Sequence, residues 1–283
     1  MPLVFKIIRQ ACTLGEMDYE QKRINERQKE FYHSFKKNKP TRLWYWVRNG
    51  ILTDFRKSVG IEKFVVEQHY DWIGNVRGKK VLDLGCYEGN SLSMFLAENA
   101  SEYVAIDLSE QAIEHFQKRL KKISTANAIA VDFLSDDFRE KDFDLIYAYG
   151  VLHHFRSTRI LISKLNEKLS PRGRIISYDP TSTSITIWFL RALYRPFQTD
   201  RDWEWPFTRS TIKDFEEAFT IIDKRGALGK SKWFFLLNFL PYSQKKKKEV
   251  WKKWHEEDWE KSRTSRGRFL RCMQVSLLME KKE

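Results

Sequence analysis

The sequence predicts an α/β fold built on a doubly wound, mostly parallel sheet of seven strands. From Lys80 onward, short apolar segments alternate with amphipathic stretches of helical period. That alternation is typical of parallel strands joined by crossover helices on both faces of a sheet. The 283 residues, 42% of them hydrophobic, can bury one large core. No internal repeat or long Gly/Ser linker divides the chain.

The predicted elements follow one another in a regular order up to residue 178. We expect strands at 81–84, 103–106, 128–131, 143–148 and 174–178, with helices at 91–98, 110–121 and 158–169. A helix at 211–218 and strands at 220–224 and 272–279 then complete the sheet. This order predicts an N-terminal helical cap, residues 1–79, with helices at 16–37 and 42–55. The domain at 80–283 carries insertions at 183–210 and 226–270 that form a lid.

The charge of the chain is concentrated at its two ends. Lys and Arg number 51 against 38 Asp and Glu, a net charge of +13. Residues 1–48 carry 11 basic and 5 acidic side chains, and residues 244–283 carry 13 and 7. An excess of this kind favours anionic partners.

The cysteines and the apolar segments narrow the class of protein. Cys12, Cys86 and Cys272 lack the spacing of a disulfide framework or a zinc site, so we expect a cytoplasmic protein without a bound metal. The N-terminus has no signal-peptide core. The longest apolar stretch, 233–240, is too short to cross a bilayer. The protein should therefore be soluble or peripheral at a membrane.

Acidic and glycine residues stand where the first three predicted strands end. The segment 81–90, VLDLGCYEGN, is an apolar strand followed by a glycine-containing turn that opens a helix. Such a turn lets a ligand approach the backbone, and a helix N-terminus offers N–H groups to a carboxylate or phosphate. Asp107 ends the second strand, where a carboxylate can accept ribose hydroxyls, and Asp132 ends the third. Each Asp alone could be a helix N-cap; the set of three favours a ligand site.

These motifs resemble those of the class I S-adenosylmethionine-dependent methyltransferases, which have a Rossmann-like fold. The resemblance covers roughly residues 80–224 and the last strand. It implies that the turn after the first strand holds the methionine end of S-adenosylmethionine, through Asp83, Gly85, Cys86 and Gly89. Tyr87 stands where the family has its second glycine.

The same resemblance implies roles for residues at the next strand ends. Asp107 with Leu108 would bind the ribose and flank the adenine, and Asp132 with Phe133 would bind the adenine. The segment 143–155 resembles the family's substrate-facing motif, in which Tyr149 would line the cofactor site. A nicotinamide dinucleotide fold is the competing interpretation, but it needs Gly-x-Gly-x-x-Gly, whereas this turn reads Gly85-x-x-x-Gly89.

His153 and His154 are the candidate general bases, because histidine titrates near neutral pH and the loop after the fourth strand faces the transferred methyl group. Adjacent residues cannot both point at one atom, so at most one of them is catalytic. The alternative is that both pack beneath the helix that follows. Asp179, which ends the fifth strand, is a candidate substrate-binding carboxylate or a turn residue.

The insertion after the fifth strand is the expected substrate cover. Arg191 and Arg195 lie one helical turn apart and could hold a phosphate or carboxylate, or belong to a solvated helix face. The loop after the fourth strand lacks the motifs of methyltransferases that modify DNA amino groups or RNA cytosine. We therefore expect methyl transfer to a small-molecule or lipid-linked acceptor, with an oxygen acceptor first and a ring carbon second.

Apolar residues at 233–242 precede the run Lys245–Lys248, with Trp251, Trp254 and Trp259 beyond. The first interpretation is a solvated helix with its tryptophans packed inward; an anionic membrane surface is second and RNA third. Two rival functions follow. One is an RNA methyltransferase that uses the basic ends. The other is a non-catalytic scaffold that binds cofactor or membrane, favoured only by Tyr87.

Overall fold

The computed structural model describes residues 23–29, 57, 59–197 and 202–282. It contains one seven-stranded sheet of order β3-β2-β1-β4-β5-β7-β6, in which only β7 runs antiparallel to its neighbours. The strands are β1 Lys80–Leu84, β2 Glu102–Asp107, β3 Ala126–Ala130, β4 Phe143–Tyr149, β5 Leu169–Pro180, β6 Phe219–Ala227 and β7 Gln274–Lys281. The predicted fold class is confirmed.

Helices connect the strands in the predicted order. They are α1 Ile61–Ile73, α2 Ser91–Asn99, α3 Glu110–Leu120, α4 Thr158–Lys168, α5 Ile185–Tyr194, α6 Arg209–Ala218, α7 Gln244–Thr264 and α8 Arg266–Phe269. Short 3-10 segments occur at Leu152–His154, Arg195–Phe197 and Ser231–Phe239. Residues 23–29 are also helical; the rest of the predicted helix 16–37, all of the predicted helix 42–55 and Cys12 lie outside the described residues.

Strand alternation sends the apolar side chains of the sheet to two cores. Along β1, Val81 packs with α1, α2 and α3 on one face, whereas Leu82 and Leu84 pack with α4 and α6 on the other. Each face is covered, which is why the strands are apolar on both sides. This arrangement leaves the carboxyl ends of β1 to β4 as the open edge of the fold.

β5 begins five residues earlier than predicted because an irregularity interrupts its pairing with β4. Phe143 pairs with Leu169, but the next pair is Leu145 with Arg174. Gly173 fits inside this bulge because a Cβ there would lie 2.7 Å from the Phe143 carbonyl oxygen. The residues just before the predicted strand therefore form a bulge within the observed one.

The two insertions fold against the carboxyl end of the sheet. The first insertion contains α5, and its two ends lie next to each other. Thr181 forms a β-bridge with Phe207, and the Ser182 N–H donates to the Phe207 carbonyl over 2.7 Å. The second contains α7, whose Trp251 and Trp259 are buried with residues of α1 in a third core. Trp251 and Trp259 therefore pack inward, as the first interpretation predicts for them, and are not available as RNA-stacking platforms. No described helix is both long and apolar enough to cross a membrane.

Candidate functional site

A cleft of about 370 Å³ opens at the carboxyl ends of β1, β2 and β4. Ligand sites in open α/β sheets occur at this edge, where the strand order reverses between β1 and β4. The volume suits a nucleoside-sized ligand. Six of the nine predicted cofactor residues line it, namely Gly85, Asp107, Leu108, Asp132, Phe133 and Tyr149.

The turn after β1 is held by bonds from two directions. Gly85 has φ +69°, its N–H donates to the Ile106 carbonyl over 2.8 Å, and a Cβ on it would overlap Val151. Arg119 of α3 donates from Nη1 to the carbonyl oxygens of Gly89, at 2.7 Å, and Glu88. Position 85 therefore requires glycine, and the Arg119 side chain holds the second half of the turn in place.

Two of the N–H groups expected to face a ligand are occupied. Asn90 Oδ1 accepts from the N–H groups of Leu92 and Ser93, at 2.8 and 3.0 Å, as an ordinary N-cap of α2. This corrects the expectation that the N-terminus of α2 offers these donors to an anion. The carboxylates of Asp107 and Asp132 are among the polar groups that line the cleft, and Gly85 adds backbone without a side chain.

Tyr87 adopts a left-handed conformation with φ +50°, and its side chain is 58% exposed. The ring lines the cleft mouth without filling the cleft. Its N–H donates to Asp107 Oδ2 over 2.9 Å. The residue that departs from the family pattern thus keeps the backbone conformation that a glycine would supply.

Asp107 is anchored by backbone donors at both carboxylate oxygens. Ser109 N–H donates to Oδ1 over 2.8 Å, and Tyr87 N–H donates to Oδ2. Burial raises the pKa of the Asp107 carboxyl above its ordinary value, whereas these N–H bonds favour the charged form. Because each carboxylate oxygen has two lone pairs, acceptor capacity remains for a ligand's hydroxyl groups.

Asp132 connects the cleft to the helical segment 23–29. Leu134 N–H donates to Oδ1 over 2.9 Å, and Asn25 Nδ2 donates to Oδ2 over 2.7 Å. Asn25 and Gln28 are both buried and line the cleft. Sequence reasoning missed these two residues, since no local pattern announces a contact across 107 positions.

Asp83, Cys86 and Gly89 do not line the cleft. The Asp83 carboxylate is buried beneath the turn and accepts a 2.6 Å bond from the Tyr103 hydroxyl. Burial raises its pKa to about 6. Cys86 is buried, and Gly89 is glycine because a Cβ there would overlap Phe116. The contacts of these three residues shape the turn from behind.

The two histidines occupy different environments. His154 lines the cleft, and its Nδ1 lies 2.8 Å from the carbonyl oxygen of Trp203, which can only accept a hydrogen bond. This bond fixes the neutral tautomer that carries its lone pair on Nε2. Burial, with the neighbouring His153, lowers the pKa of His154 to about 3. The imidazole is therefore uncharged at neutral pH.

His153 and Asp179 form a buried pair behind the cleft. The His153 Nδ1 lies 2.9 Å from Asp179 Oδ1, and the His153 backbone N–H donates to the same oxygen over 3.1 Å. Asp179 is 1% exposed and is not among the residues that line the main cleft. The structure therefore places Asp179 as a support of the His153 turn, in contrast to the predicted substrate contact.

Arg191 and Arg195 border a smaller hollow of about 240 Å³ beside α5. Arg191 Nε donates to the Thr181 carbonyl over 2.6 Å and so ties α5 to the end of β5. Neither arginine lines the main cleft. Within the described residues, no cluster of three or more His, Cys, Asp or Glu side chains could hold a metal ion.

Tyr149 separates the cleft from an aromatic layer beneath it. It stacks on Tyr178 with ring centroids 5.0 Å apart, and His69 lies edge-on to both rings. Burial lowers the pKa of His69 to about 3, and its Nε2 lies 3.0 Å from Ser276 Oγ. This layer links α1, β5 and β7 and supports the cleft wall.

Comparison with known proteins gives the family context. Residues 82–175, about a third of the chain, match the model of a methyltransferase domain. A tRNA U34 carboxymethyltransferase from Pseudoalteromonas translucida is 29% identical over 178 residues, 58% of this chain and 48% of that protein. A mitochondrial ubiquinone biosynthesis O-methyltransferase from Schizosaccharomyces pombe is 30% identical over 103 residues, 35% of this chain and 37% of that protein. The chain spans less than half the length of either relative.

Solved structures share the fold at low sequence identity. The geranyl diphosphate C-methyltransferase of Streptomyces coelicolor A3(2) matches with a TM-score of 0.51 and 10% identity, over 78% of this chain and 82% of that one. The YcgJ protein of Bacillus subtilis matches with a TM-score of 0.51 and 16% identity, over 80% and 99%. These similarities show the fold alone.

Proposed function

We propose that this protein is a class I, S-adenosylmethionine-dependent methyltransferase that methylates a hydroxyl group of a small-molecule or lipid-linked acceptor. Residues 82–175 match the model of a methyltransferase domain, which supports the proposal. One observation carries the cofactor assignment. Asp107 and Asp132, at the ends of neighbouring strands, line the same cleft as Gly85. Three polar groups from separate strands converge on one nucleoside-sized space.

The residues of the cleft fit the cofactor. Gly85 presents bare backbone at the end of β1, and Asp107 retains acceptor capacity for ribose hydroxyls. Leu108 and Phe133 supply apolar walls for a purine, beside the carboxylate of Asp132. When bound, S-adenosylmethionine supplies a methyl group activated by a positively charged sulfur.

His154 is the candidate base for an acceptor hydroxyl. It lines the cleft, is uncharged at neutral pH and has its tautomer fixed by the Trp203 carbonyl. The Nε2 lone pair can accept a hydrogen bond from the hydroxyl and so hold the oxygen toward the methyl group. Because the hydroxyl becomes strongly acidic as the oxygen–methyl bond forms and the carbon–sulfur bond breaks, even this weak base can then take its proton. His153, tied to Asp179 behind the cleft, acts as a positioning residue for this turn.

Two further observations support an apolar acceptor. The insertion at 183–210 supplies the buried Trp203, whose backbone carbonyl holds His154 at the cleft. The relative from Schizosaccharomyces pombe is by name an O-methyltransferase of ubiquinone biosynthesis. An acceptor with a phenolic hydroxyl and an apolar tail would suit both observations.

Calorimetric titration with S-adenosylhomocysteine tests the cofactor site. We expect the Asp107→Ala variant to bind about 100-fold more weakly, since it loses charge-assisted hydrogen bonds worth about 3 kcal/mol. Asp107→Asn, which keeps one acceptor for the turn, should lie between. Asp136→Ala, on an exposed carboxylate outside the cleft, should bind as the wild type does. Equal affinity in all four proteins would refute the site.

RNA is the second candidate acceptor, supported by the tRNA U34 carboxymethyltransferases among the relatives and by the basic termini. Transfer of labelled methyl groups to a polyprenyl phenol and to bulk tRNA, each supplied alone, separates the two. If the proposed function is correct, we expect the labelled methyl group to appear in the phenol. Label in tRNA alone, with binding that weakens steeply as salt rises, would establish the RNA alternative.

A further inference from the structure

Helix α5 presents its apolar side to solvent. Ile185, Trp188, Phe189 and Leu193 recur at helical spacing and are all exposed, Ile185 by 85%. The opposite side anchors the helix through buried Ile187 and the bonds of Arg191. A helix normally buries such a stripe, so this one fits an apolar partner.

A second apolar surface lies on the 3-10 segment Ser231–Phe239 and the residues directly after it. Phe235, Leu236, Phe239, Leu240 and Tyr242 are exposed, Phe239 by 83%. Leu237 between them is buried and holds the segment on the third core. The exposed run Lys245, Lys246 and Lys248 begins directly after it, at the start of α7.

A basic cavity of about 480 Å³ lies where the two apolar surfaces begin. Thr186 of α5 and Trp233 of the 3-10 segment both line it. Four of its lining side chains are basic, namely Lys230, Lys232, Arg268 and Arg271. The N-terminus of α5, whose dipole favours an anion, adds to this charge.

Three of these four cations have no ion-pair partner in the described part of the chain, whereas Lys230 lies 3.8 Å from Glu257. Lys232 is 8% exposed, and its Nζ donates to the carbonyls of Gly229, at 2.7 Å, and Arg271, at 2.9 Å. No described carboxylate lies within ion-pair distance of Lys232, Arg268 or Arg271. Asp258, the acid in the cavity, accepts from the N–H groups of Lys230 and Ser231. The cavity is therefore suited to an anion with several oxygens.

We propose that α5, residues 235–242 and the basic cavity between them form a docking face for an anionic phospholipid surface, with a lipid phosphate in the cavity. The apolar side chains would enter the interfacial region, and the exposed Lys245, Lys246 and Lys248 would lie near the headgroups. Membrane docking does not depend on which acceptor is methylated, because it requires no methyl transfer.

The composition of the docking face favours lipid over RNA. RNA-binding surfaces combine basic groups with flat aromatic rings on which bases stack. Here four aliphatic side chains, Ile185, Leu193, Leu236 and Leu240, are exposed among the aromatic ones. Branched aliphatic groups offer no stacking surface for a base but bury well among acyl chains.

Vesicle flotation of the full chain tests the docking face. We expect the protein to bind vesicles containing phosphatidylglycerol and to remain unbound with phosphatidylcholine alone. Trp188→Ser with Phe239→Ser, both at exposed positions, should weaken binding by at least about tenfold. An unaltered melting temperature confirms that the double variant is folded. Undiminished binding would show that the apolar side chains do not enter the membrane and would overturn the proposal.

A charge-matched pair of variants tests the cavity. Arg268→Glu with Arg271→Glu and Lys245→Glu with Lys248→Glu make the same change in net charge. If the cavity holds a phosphate, the arginine pair should lose at least about tenfold more affinity than the lysine pair. Equal losses would indicate general electrostatic attraction and overturn the cavity. Tighter binding to single-stranded RNA than to anionic vesicles, unaffected by the Trp188 and Phe239 changes, would replace the lipid surface with RNA.

Discussion

His154 shows how one hydrogen bond determines what a side chain can do chemically. Its Nδ1 hydrogen is committed to the Trp203 carbonyl, and burial keeps the ring uncharged with a pKa of about 3. The lone pair on Nε2 is therefore present at every pH from about 4 upward. A base of this kind differs from an exposed histidine, which loses its lone pair as the pH falls through about 6.5.

We expect the pH dependence of kcat/KM to have no acid limb near pH 6.5, since His154 is already uncharged there. His154→Gln should lower kcat about 100-fold with little change in S-adenosylhomocysteine affinity. Steady-state rates of methyl transfer to the acceptor substrate between about pH 5 and pH 8 provide the check. An acid limb near pH 6.5 that disappears in the variant would mean that the ring titrates normally.

Asp83 makes stability depend on pH in the opposite sense from a typical carboxylate. Burial raises its pKa to about 6 from 3.8, so the folded protein keeps a proton that the unfolded chain releases near pH 4. This contribution to stability is complete below about pH 4 and is lost as the pH rises through about 6. Asp83→Asn keeps an acceptor for the Tyr103 hydroxyl but does not titrate.

We therefore expect the stability of Asp83→Asn, relative to the wild type, to rise with pH. The gain between about pH 4 and pH 7 should approach about 3 kcal/mol. Urea denaturation of both proteins across this range measures it. A difference that stays constant with pH would show that Asp83 titrates normally in the folded protein.

At the residue level, the sequence predicted which side chains lie at the strand ends better than it predicted their contacts with residues distant in the chain. Asp107 and Asp132 reach the cleft because the ends of adjacent parallel strands meet at one edge. Asp179 also ends a strand, yet it turns to His153 and away from the cleft. The sequence pattern places the residue at the edge, but the side chain's direction depends on tertiary contacts.

At the level of elements, the helical segment 23–29 extends the cleft beyond the methyltransferase domain. Asn25 bonds Asp132, and Lys29 Nζ lies 2.6 Å from Glu110 Oε1 of α3. Two polar groups thus fasten the segment over the cofactor edge. The segment is the element most directly coupled to whatever occupies the cleft.

Bound S-adenosylhomocysteine should slow amide hydrogen exchange in residues 23–29. If opening of the segment abolishes binding, a ligand at 100 times its dissociation constant slows exchange by up to about 100-fold. Exchange mass spectrometry measures this, with α4 as an internal control that should not change. Protection of the turn at 85–90 without protection of 23–29 would mean that the segment does not contact the ligand.

Strands and crossover helices were predictable because their signals are local. Apolar runs and period-3.6 patterns identify all seven strands and the helices α2, α3, α4 and α6, although β5 begins five residues earlier than predicted. Helices α1 and α5 were not among the predicted elements. The 3-10 segment Ser231–Phe239 was not predicted, because its structure depends on packing against α1 and α7. The early start of β5 was not predicted, since residues 170–173, SPRG, have the composition of a loop.

At the scale of the whole molecule, the sheet depends on β7. This strand pairs with β5 along seven positions and with β6 along eight, and its Val275, Leu277 and Met279 lie in the core. A chain that stops after residue 273 should therefore lack a cooperative unfolding transition and bind a hydrophobic dye. Removal of residues 282 and 283 alone should leave the thermal transition unchanged. A cooperative transition in the shorter chain would show that β5 and β6 suffice.

The position of β7 also bears on how the protein is made. A ribosome synthesises β5 and β6 before β7, yet β7 lies between them. About 90 residues separate the end of β5 from β7, so at about 5–20 residues per second the edge of β5 waits about 5–20 s for its partner. The nascent chain should complete its cofactor edge first and expose an unpaired strand meanwhile, when a chaperone would be of most use.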